Sequence, residues 1–444
     1  MTATRDAAAV RGASVGLHLA TAGGGEAAGR LAQILTVAVA AQALGPEGLG
    51  VVGIAWSLTA VALALVQGGP ELAGIRELGA GAAASHTQPR IIVTVTALKL
   101  ALAVAALPVL LAVQWGLGHT GAAAVQQLAA QMAAAGLTAA GYAWALRGIC
   151  RPGDQALVRV VQAVATLAIF WPLVSLWPDP LAVPAAEGGG AAIALLFGRQ
   201  RLGRLARATP PSLTELRAMA GPALHLGLSG LVTTLAWMAP LLAAAHSAPM
   251  EEVGLLTGVL RLVLGCVGIL QIAIQALFPL LTRALAQDSA RGRDATVALT
   301  VQAVLATLAA TALLVAAAPA VVPAVLGPGF GEAIALFRLL IPVLIPVALG
   351  SPASYALMAR GKTPAVLWVA VAAALAMAAA CAAAFAVSPT MTSATALHPV
   401  LWGQVAVTMV VAARYGVIGR PQAPWRTLFA PSRAGALLRE GRGR

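Results

Sequence analysis

Apolar runs long enough to cross a bilayer follow one another along this chain with little between them. About 30 Å of hydrocarbon, covered at 1.5 Å per residue, takes roughly 20 residues of helix. Such runs read at approximately 15–42, 49–68, 91–114, 121–146, 155–177, 180–198, 218–245, 253–281, 295–322, 333–357, 364–387 and 394–413. Lipid offers the backbone no hydrogen bonds, so each run must satisfy its own N–H and C=O groups and be a helix. The fold class is therefore all-α: a polytopic membrane protein with about 12 transmembrane helices. A chain that is 60% hydrophobic and 10% charged fits no soluble class. The sixth run is the weakest, because Pro184, Glu187 and Gly188 to Gly190 leave it a short apolar core.

Charge fixes the orientation. With the N-terminus in the cytoplasm, the inner segments collect all but four of the 28 Lys and Arg residues. The outer turns hold none and carry Glu47, Asp179, Glu187, Glu251, Glu252 and Glu332. This asymmetry is the positive-inside pattern, and it places both termini in the cytoplasm and the chain in the cytoplasmic (inner) membrane. It also accounts for the net charge of +13 without a nucleic-acid partner. Arg5 and Arg11 precede the first run as in a signal peptide, yet Glu26 and Arg30 interrupt it and no small-residue cleavage site follows, so it reads as an uncleaved span. Trp115, Trp171, Trp177 and Trp425 near run ends form an aromatic belt. Cys150, Cys266 and Cys381 are far apart and suggest neither a disulfide framework nor a metal site.

The layout repeats. LHL at 17–19 returns at 224–226, and EGLGVVGI at 47–54 returns as EEVGLLTG at 251–258. A tandem duplication follows: an N-terminal six-helix lobe over 1–198, a basic cytoplasmic linker over 199–217, a C-terminal six-helix lobe over 218–415 and a basic tail over 416–444. Two similar halves make a transporter plan, with the working site expected in the seam. Glycines spaced by four, Gly25 with Gly29 and Gly254 with Gly258, read as close helix packing. Pro342, Pro346 and Pro352 must bend or break the tenth span.

Four cations stay inside the runs: Arg30, Lys99, Arg261 and Arg338. Each costs about 2.5–3.5 kcal/mol on insertion scales, so each should face protein or water. Glu26, four residues before Arg30 and on the same helical face, is the one obvious counter-ion at depth. Arg338, near Glu332, and Lys99, two turns from the cytoplasmic end, can snorkel. Arg261 has no acid nearby in sequence and lies in the eighth span, the counterpart of the second. Arg30 and Arg261 would put positive charge on both sides of the seam, and Glu26, Lys99 and Arg338 complete the candidate substrate-binding set. A wet cationic chamber selects an anionic passenger, such as a phosphate, pyrophosphate or acidic sugar. Gln126, Gln127 and Gln131 could line it, although bonding between helices is the commoner use. No HExxH, GxSxG or GxxxxGK[ST] motif occurs and the histidines are scattered, so no enzyme is expected.

Four stretches resemble polysaccharide-biosynthesis proteins, the oligosaccharide flippase branch of the multidrug/oligosaccharidyl-lipid/polysaccharide exporter superfamily. LGPEGLGVVGIAWSLTAVALALVQGGPELAGIREL at 44–78 is similar to that family's second-span region, and YAWALRGICRPGDQALVRVV at 142–161 to its inner turn after the fourth span. VGLLTGVLRLVLGCVGILQIAIQALFPLLTRAL at 253–285 resembles its eighth span, including Phe278 and Pro279. VLGPGFGEAIALFRLLIPVLIPVALGSPASYALMARGKTPAVLW at 325–368 resembles its ninth-to-eleventh-span region, with a small-residue turn ending at Gly361 and Lys362. The resemblance implies movement of a polyprenyl-diphosphate-linked glycan from inner to outer leaflet by alternating access, without ATP. Basic residues of the family's central cavity would be matched by Arg30 and Arg261. The implied partners are the lipid-linked glycan and membrane lipids, with H⁺ or Na⁺ as candidate coupling ion and glycan-assembly proteins as candidate associates; no cofactor is implied.

Two alternatives stand beside the flippase. An ion-coupled multidrug exporter of the same superfamily would favour acids at depth, where the sequence offers Glu26 against several arginines. A membrane-embedded glycosyl- or acyltransferase would need catalytic carboxylates or histidines and usually a sizeable outer loop, and neither is visible.

Overall fold

In a computed structural model the described residues are 2–79, 88–206, 211–287, 289–387, 395 and 397–418, with the backbone alone described over 2–26. Within them the chain is helical, with no strand. Eight stretches are long and apolar enough to cross a membrane, and the first, Ala27–Leu78, covers two expected spans. The chain divides into two compact units, Met1–Thr234 and Leu235–Arg444.

The first unit opens with α1 (Thr2–Val66), whose 65 residues would reach about 97 Å if straight, three times the hydrocarbon thickness. It breaks at Gly45, where φ 68 and ψ −176 lie outside the helical region. Pro46 disfavours helix in the residue before it, and only glycine takes that φ without strain, so the first two expected spans meet at one residue. There follow the short α2 (Gly68–Gly79), α3 (Gln88–Gly116), α4 (Ala122–Ala140), the one-and-a-half-turn α5 (Ala143–Gly148), α6 (Pro152–Leu176) and α7 (Ala182–Leu202). A 3₁₀ turn, Gly203–Ala206, then leads towards α8 (Leu213–Ser247), whose first part belongs to this unit.

The weakest expected span is thus a regular helix. Glu187, expected in an outer turn, lies inside α7, and the glycines beside it serve packing. A Cβ on Gly190 would sit 2.0 Å from Thr166 Oγ1 of α6, so glycine lets the two helices touch. Trp144, Ile92, Val95, Leu98, Leu146 and Ala223 form the core where α2, α3, α5 and α8 meet.

The second unit holds the end of α8, then α9 (Met250–Gln287), α10 (Ser289–Leu326), a 3₁₀ turn at Pro328–Phe330 and α11 (Ala333–Leu340). After a second 3₁₀ turn, Ile341–Val343, come α12 (Leu344–Ala359), α13 (Thr363–Val387) and α14 (Leu397–Arg414). The tenth span stays one helical stretch, Ala333–Ala359, tightened into a 3₁₀ turn around Pro342 between α11 and α12, while Pro346 and Pro352 lie within α12. Gly361, at φ 72, ends α12, with Gly361 N–H donating to Met358 O and Lys362 N–H to Leu357 O. Lys362 Nζ lies 5.0 Å from the Tyr415 ring centre, which ties this small-residue turn to the end of α14.

Large apolar side chains remain exposed along the helices, among them Val104 and Val109 of α3, Val164 and Trp171 of α6, Leu313 of α10 and Leu375 of α13. A soluble protein does not leave such faces uncovered, and lipid covers them here. Trp115, Trp171 and Trp177 are exposed, as the aromatic belt requires. Trp425 and most of the tail lie outside the described residues.

The start of α8 carries a capping box. Glu215 Oε2 accepts from Ser212 N–H at 2.8 Å, and Glu215 N–H donates to Ser212 Oγ at 3.3 Å. Arg90 of α3 reaches the other oxygen at 2.8 Å. The bonds from Ser212, with help from Arg90, hold the Glu215 carboxyl below its ordinary value. A depressed folded-state pKa stabilises above the unfolded value, and that contribution disappears as pH falls through the depressed one. The protection factors of the amides in the first turn of α8, that is exchange relative to the intrinsic rate at each pH, should therefore fall below pH ~4, while Glu215→Gln shows the lower protection already at neutral pH. Identical exchange in both proteins at neutral pH would contradict this.

Candidate functional site

The five expected site residues divide between the units. Arg30 lies on the first part of α1 and is exposed, its Nη1 3.3 Å from Gln33 Oε1. The side chain of Glu26 falls outside the described residues, so the expected Glu26–Arg30 pair does too. In the second unit, Arg261 is half-buried on α9, within the stretch 253–263 that is otherwise buried throughout. Arg338 of α11 is exposed, and its Nε donates to the Val315 carbonyl of α10 at 3.3 Å.

Lys99 overturns its expectation. Instead of snorkelling it is fully buried at 0% exposure, and its Nζ lies 2.7 Å from Glu71 Oε1 of α2. The Trp144 ring centre is 5.8 Å away and adds a cation–π contact. Glu26 is therefore not the sole counter-ion at depth. Glu71 was hidden because it lies 28 residues away in sequence, just past the second apolar run; only the fold of α2 against α3 and α5 brings it to Lys99. Burial of a lysine is tolerable here because its charge and protons find a carboxylate and an aromatic face.

A second carboxylate of the first unit, Glu187 of α7, is also half-buried. Glu187 Oε1 accepts from Trp56 Nε1 of α1 at 3.0 Å, and its Oε2 accepts from Gln131 Nε2 of α4. Three helices thus meet through one acid. Gln127, one turn before Gln131, donates to Pro180 O at 3.2 Å. Of the expected bonds between helices, Gln131 makes one, from α4 to α7, while Gln127 reaches the turn that precedes α7. Gln127 Oε1, Gln131 Oε1 and Thr59 Oγ1 are buried without a hydrogen-bond donor.

The second unit has a neutral counterpart between α9 and α12. Gln271 Nε2 donates to Ser351 Oγ at 2.8 Å, Tyr355 Oη donates to Gln271 Oε1 at 3.2 Å, and Gln275 Nε2 donates to Tyr355 Oη at 2.9 Å. Gln271 and Gln275 are four apart, as are Ser351 and Tyr355, so two helix faces zip along one polar seam. That pairing of i, i+4 polar residues was a legible signal.

Among the described residues no group of three or more His, Cys, Asp or Glu could hold a metal. The arrangement offers a buried ion pair and polar seams between helices.

Comparison with known proteins agrees with this architecture. The profile of the family described as "Polysaccharide biosynthesis protein" matches residues 23–285, more than half of the chain. A solved inward-facing multidrug resistance MATE family transporter of the MOP superfamily is 18% identical, with a TM-score of 0.74 over 87% of this chain and 94% of that one. A MOP superfamily transporter from Pyrococcus furiosus, described as having a binding pocket of reversed polarity that suggests a different function, is 16% identical with a TM-score of 0.61 over 95% and 96%. An outward-facing MATE family transporter is 17% identical with a TM-score of 0.63 over 95% and 96%. At these identities the structures speak for the fold. None of the curated proteins compared by sequence matches the chain.

Proposed function

The chain belongs to the polysaccharide biosynthesis protein family of MOP superfamily transporters, and from that membership we propose that it flips a polyprenyl-diphosphate-linked oligosaccharide, or a similar anionic lipid-linked glycan, across the cytoplasmic membrane. The observation that carries this reading is the family match over residues 23–285. Alternating access of two halves would let the polar head cross while the polyprenyl tail stays in lipid. Arg30 and Arg261 are the cations proposed to meet the diphosphate, since guanidinium groups bind phosphate oxygens in pairs. Arg338, bound to a backbone carbonyl, and Lys99, held by Glu71, are weaker candidates for that role. Glu187 is the proposed acid for H⁺ or Na⁺ coupling, because it sits within a helix of the bundle and links α1, α4 and α7.

That same residue favours a second reading, an ion-coupled multidrug exporter. The sequence offered such a protein too few acids at depth, and Glu187 supplies one. Deleting the gene separates the two. Accumulation of lipid-linked glycan on the cytoplasmic leaflet is expected of a flippase. Drug hypersensitivity with an unchanged leaflet distribution would overturn the flippase and favour the exporter.

A further inference from the structure

In the second unit, α9 is exposed on two opposite faces of different chemistry. Ile269 and Ala273, four apart, are exposed on one of them. On the other, Gln275 is exposed and Gln271, four residues before it, is half-buried. At about 100° per residue, either glutamine lies roughly 160–240° around the helix from Ile269 and Ala273. All four residues belong to Met250–Gln275, the stretch of α9 that is long and apolar enough to cross a membrane. Lipid covers the apolar face well, whereas an amide in a span turns towards protein or water. The glutamine face is thus the one turned away from lipid.

Tyr355 of α12 fixes how Gln275 is presented. Gln275 Nε2 donates to Tyr355 Oη at 2.9 Å, and Tyr355 Oη donates to Gln271 Oε1 at 3.2 Å. Gln271 Nε2 in turn donates to Ser351 Oγ at 2.8 Å, which closes the chain of bonds on α12. An amide has two N–H donors and a carbonyl acceptor, so Gln275 keeps one donor and its acceptor for another partner. Side by side, they match two neighbouring hydroxyls of a sugar, each of which both donates and accepts. A phosphate would meet the carbonyl oxygen with a second acceptor, and a cationic drug would meet the N–H with a second donor. The same side of α9 carries Arg261. It precedes Gln275 by fourteen residues, close to four turns, so the two are nearly aligned and stand about 21 Å apart along the axis.

We propose that Gln275, held in place by Tyr355 and Gln271, is a subsite for the sugar chain of the transported lipid, binding hydroxyls of a sugar remote from the diphosphate. The inference rests on the flippase reading and on the role given there to Arg261. It adds a division of labour along one helix: the guanidinium meets the charge that every such lipid carries, and the amide meets a sugar that only some glycans place there. Because about 21 Å separates the two, the subsite discriminates by glycan length and outer composition, not by the sugar next to the diphosphate. Tyr355 and Gln271 are positioning residues that act through Gln275.

The test compares two ligands on the purified full-length chain in detergent, with native mass spectrometry reading affinity. One is the lipid-linked glycan extracted from the deletion strain; the other is farnesyl diphosphate, which carries the diphosphate without sugars. Gln275→Leu keeps the bulk of the side chain and removes the amide. It should weaken binding of the glycan lipid about fivefold, as expected for one or two neutral hydrogen bonds, and leave farnesyl diphosphate unchanged. Arg261→Met should weaken both. If Gln275→Leu lowers thermal stability, Gln275→Ala makes the same comparison. Undiminished affinity for the glycan lipid, or an equal fall for both ligands as a purely structural role would give, overturns the subsite and leaves the flippase reading standing. A deletion strain that accumulates no lipid-linked glycan overturns the flippase reading and the subsite with it.

Discussion

Replacing Lys99 with alanine should cost the first unit about 3–5 kcal/mol, because it leaves the Glu71 carboxylate without the cation it was folded around. The lysine is fully buried and the glutamate side chain is 24% exposed, so partial solvation of Glu71 favours the lower end of that range. The lost contact with Trp144 and the cavity beside Ile92, Val95 and Leu98 add in the same direction. A double variant, Lys99→Met with Glu71→Gln, removes both charges and keeps most of the volume. It should recover the greater part of the loss, since a buried pair replaced by neutral groups is often near neutral in stability. Thermal or denaturant unfolding of the purified proteins gives the comparison. If the double variant is as unstable as Lys99→Ala, the two charges are not coupled and the contact is incidental.

Converting Arg30 and Arg261 together to alanine should abolish transport while leaving both units folded. Arg30 is exposed and bonds only weakly to its own helix, through Gln33 at 3.3 Å, so its loss removes little packing. Arg261 is half-buried, and its stem contributes packing that alanine gives up. Retained thermal stability must therefore be shown alongside lost activity, and Arg261→Met provides the control that keeps the stem and removes the charge. In a deletion strain the double variant should fail to restore export of the glycan although it is inserted at wild-type level. Full restoration would remove the two arginines from any role with an anionic substrate.

The contrast between Lys99 and Pro342 shows what the sequence could and could not reveal. A 20-residue apolar run is a complete instruction, because lipid forces helix upon it, whereas proline in such a run is a weaker one: Pro108, Pro172 and Pro352 lie inside α3, α6 and α12, and Pro342 marks a 3₁₀ turn. Hence the helices were legible, and so was a disturbance of the tenth span, which takes the form of the 3₁₀ turn between α11 and α12. The Lys99–Glu71 pair was not, since nothing local marks residues 28 apart as neighbours. Glu187 was misread for another reason. Pro184 and three consecutive glycines look like a turn, yet inside a bundle glycine buys close approach, as Gly190 does against Thr166. The capping box at Ser212 and Glu215, by contrast, was spelled out in the sequence as S-x-x-E.

Reconstitution tests the central claim most directly: purified chain in proteoliposomes, with a fluorescent polyprenyl-diphosphate-linked oligosaccharide whose exposure on each leaflet is followed by quenching from outside. Vesicles holding the wild-type chain should move the labelled lipid between leaflets, and those holding the Arg30→Ala, Arg261→Ala protein should behave like empty vesicles. Wild-type vesicles that move it no faster than empty ones, under imposed H⁺ and Na⁺ gradients alike, would contradict the account.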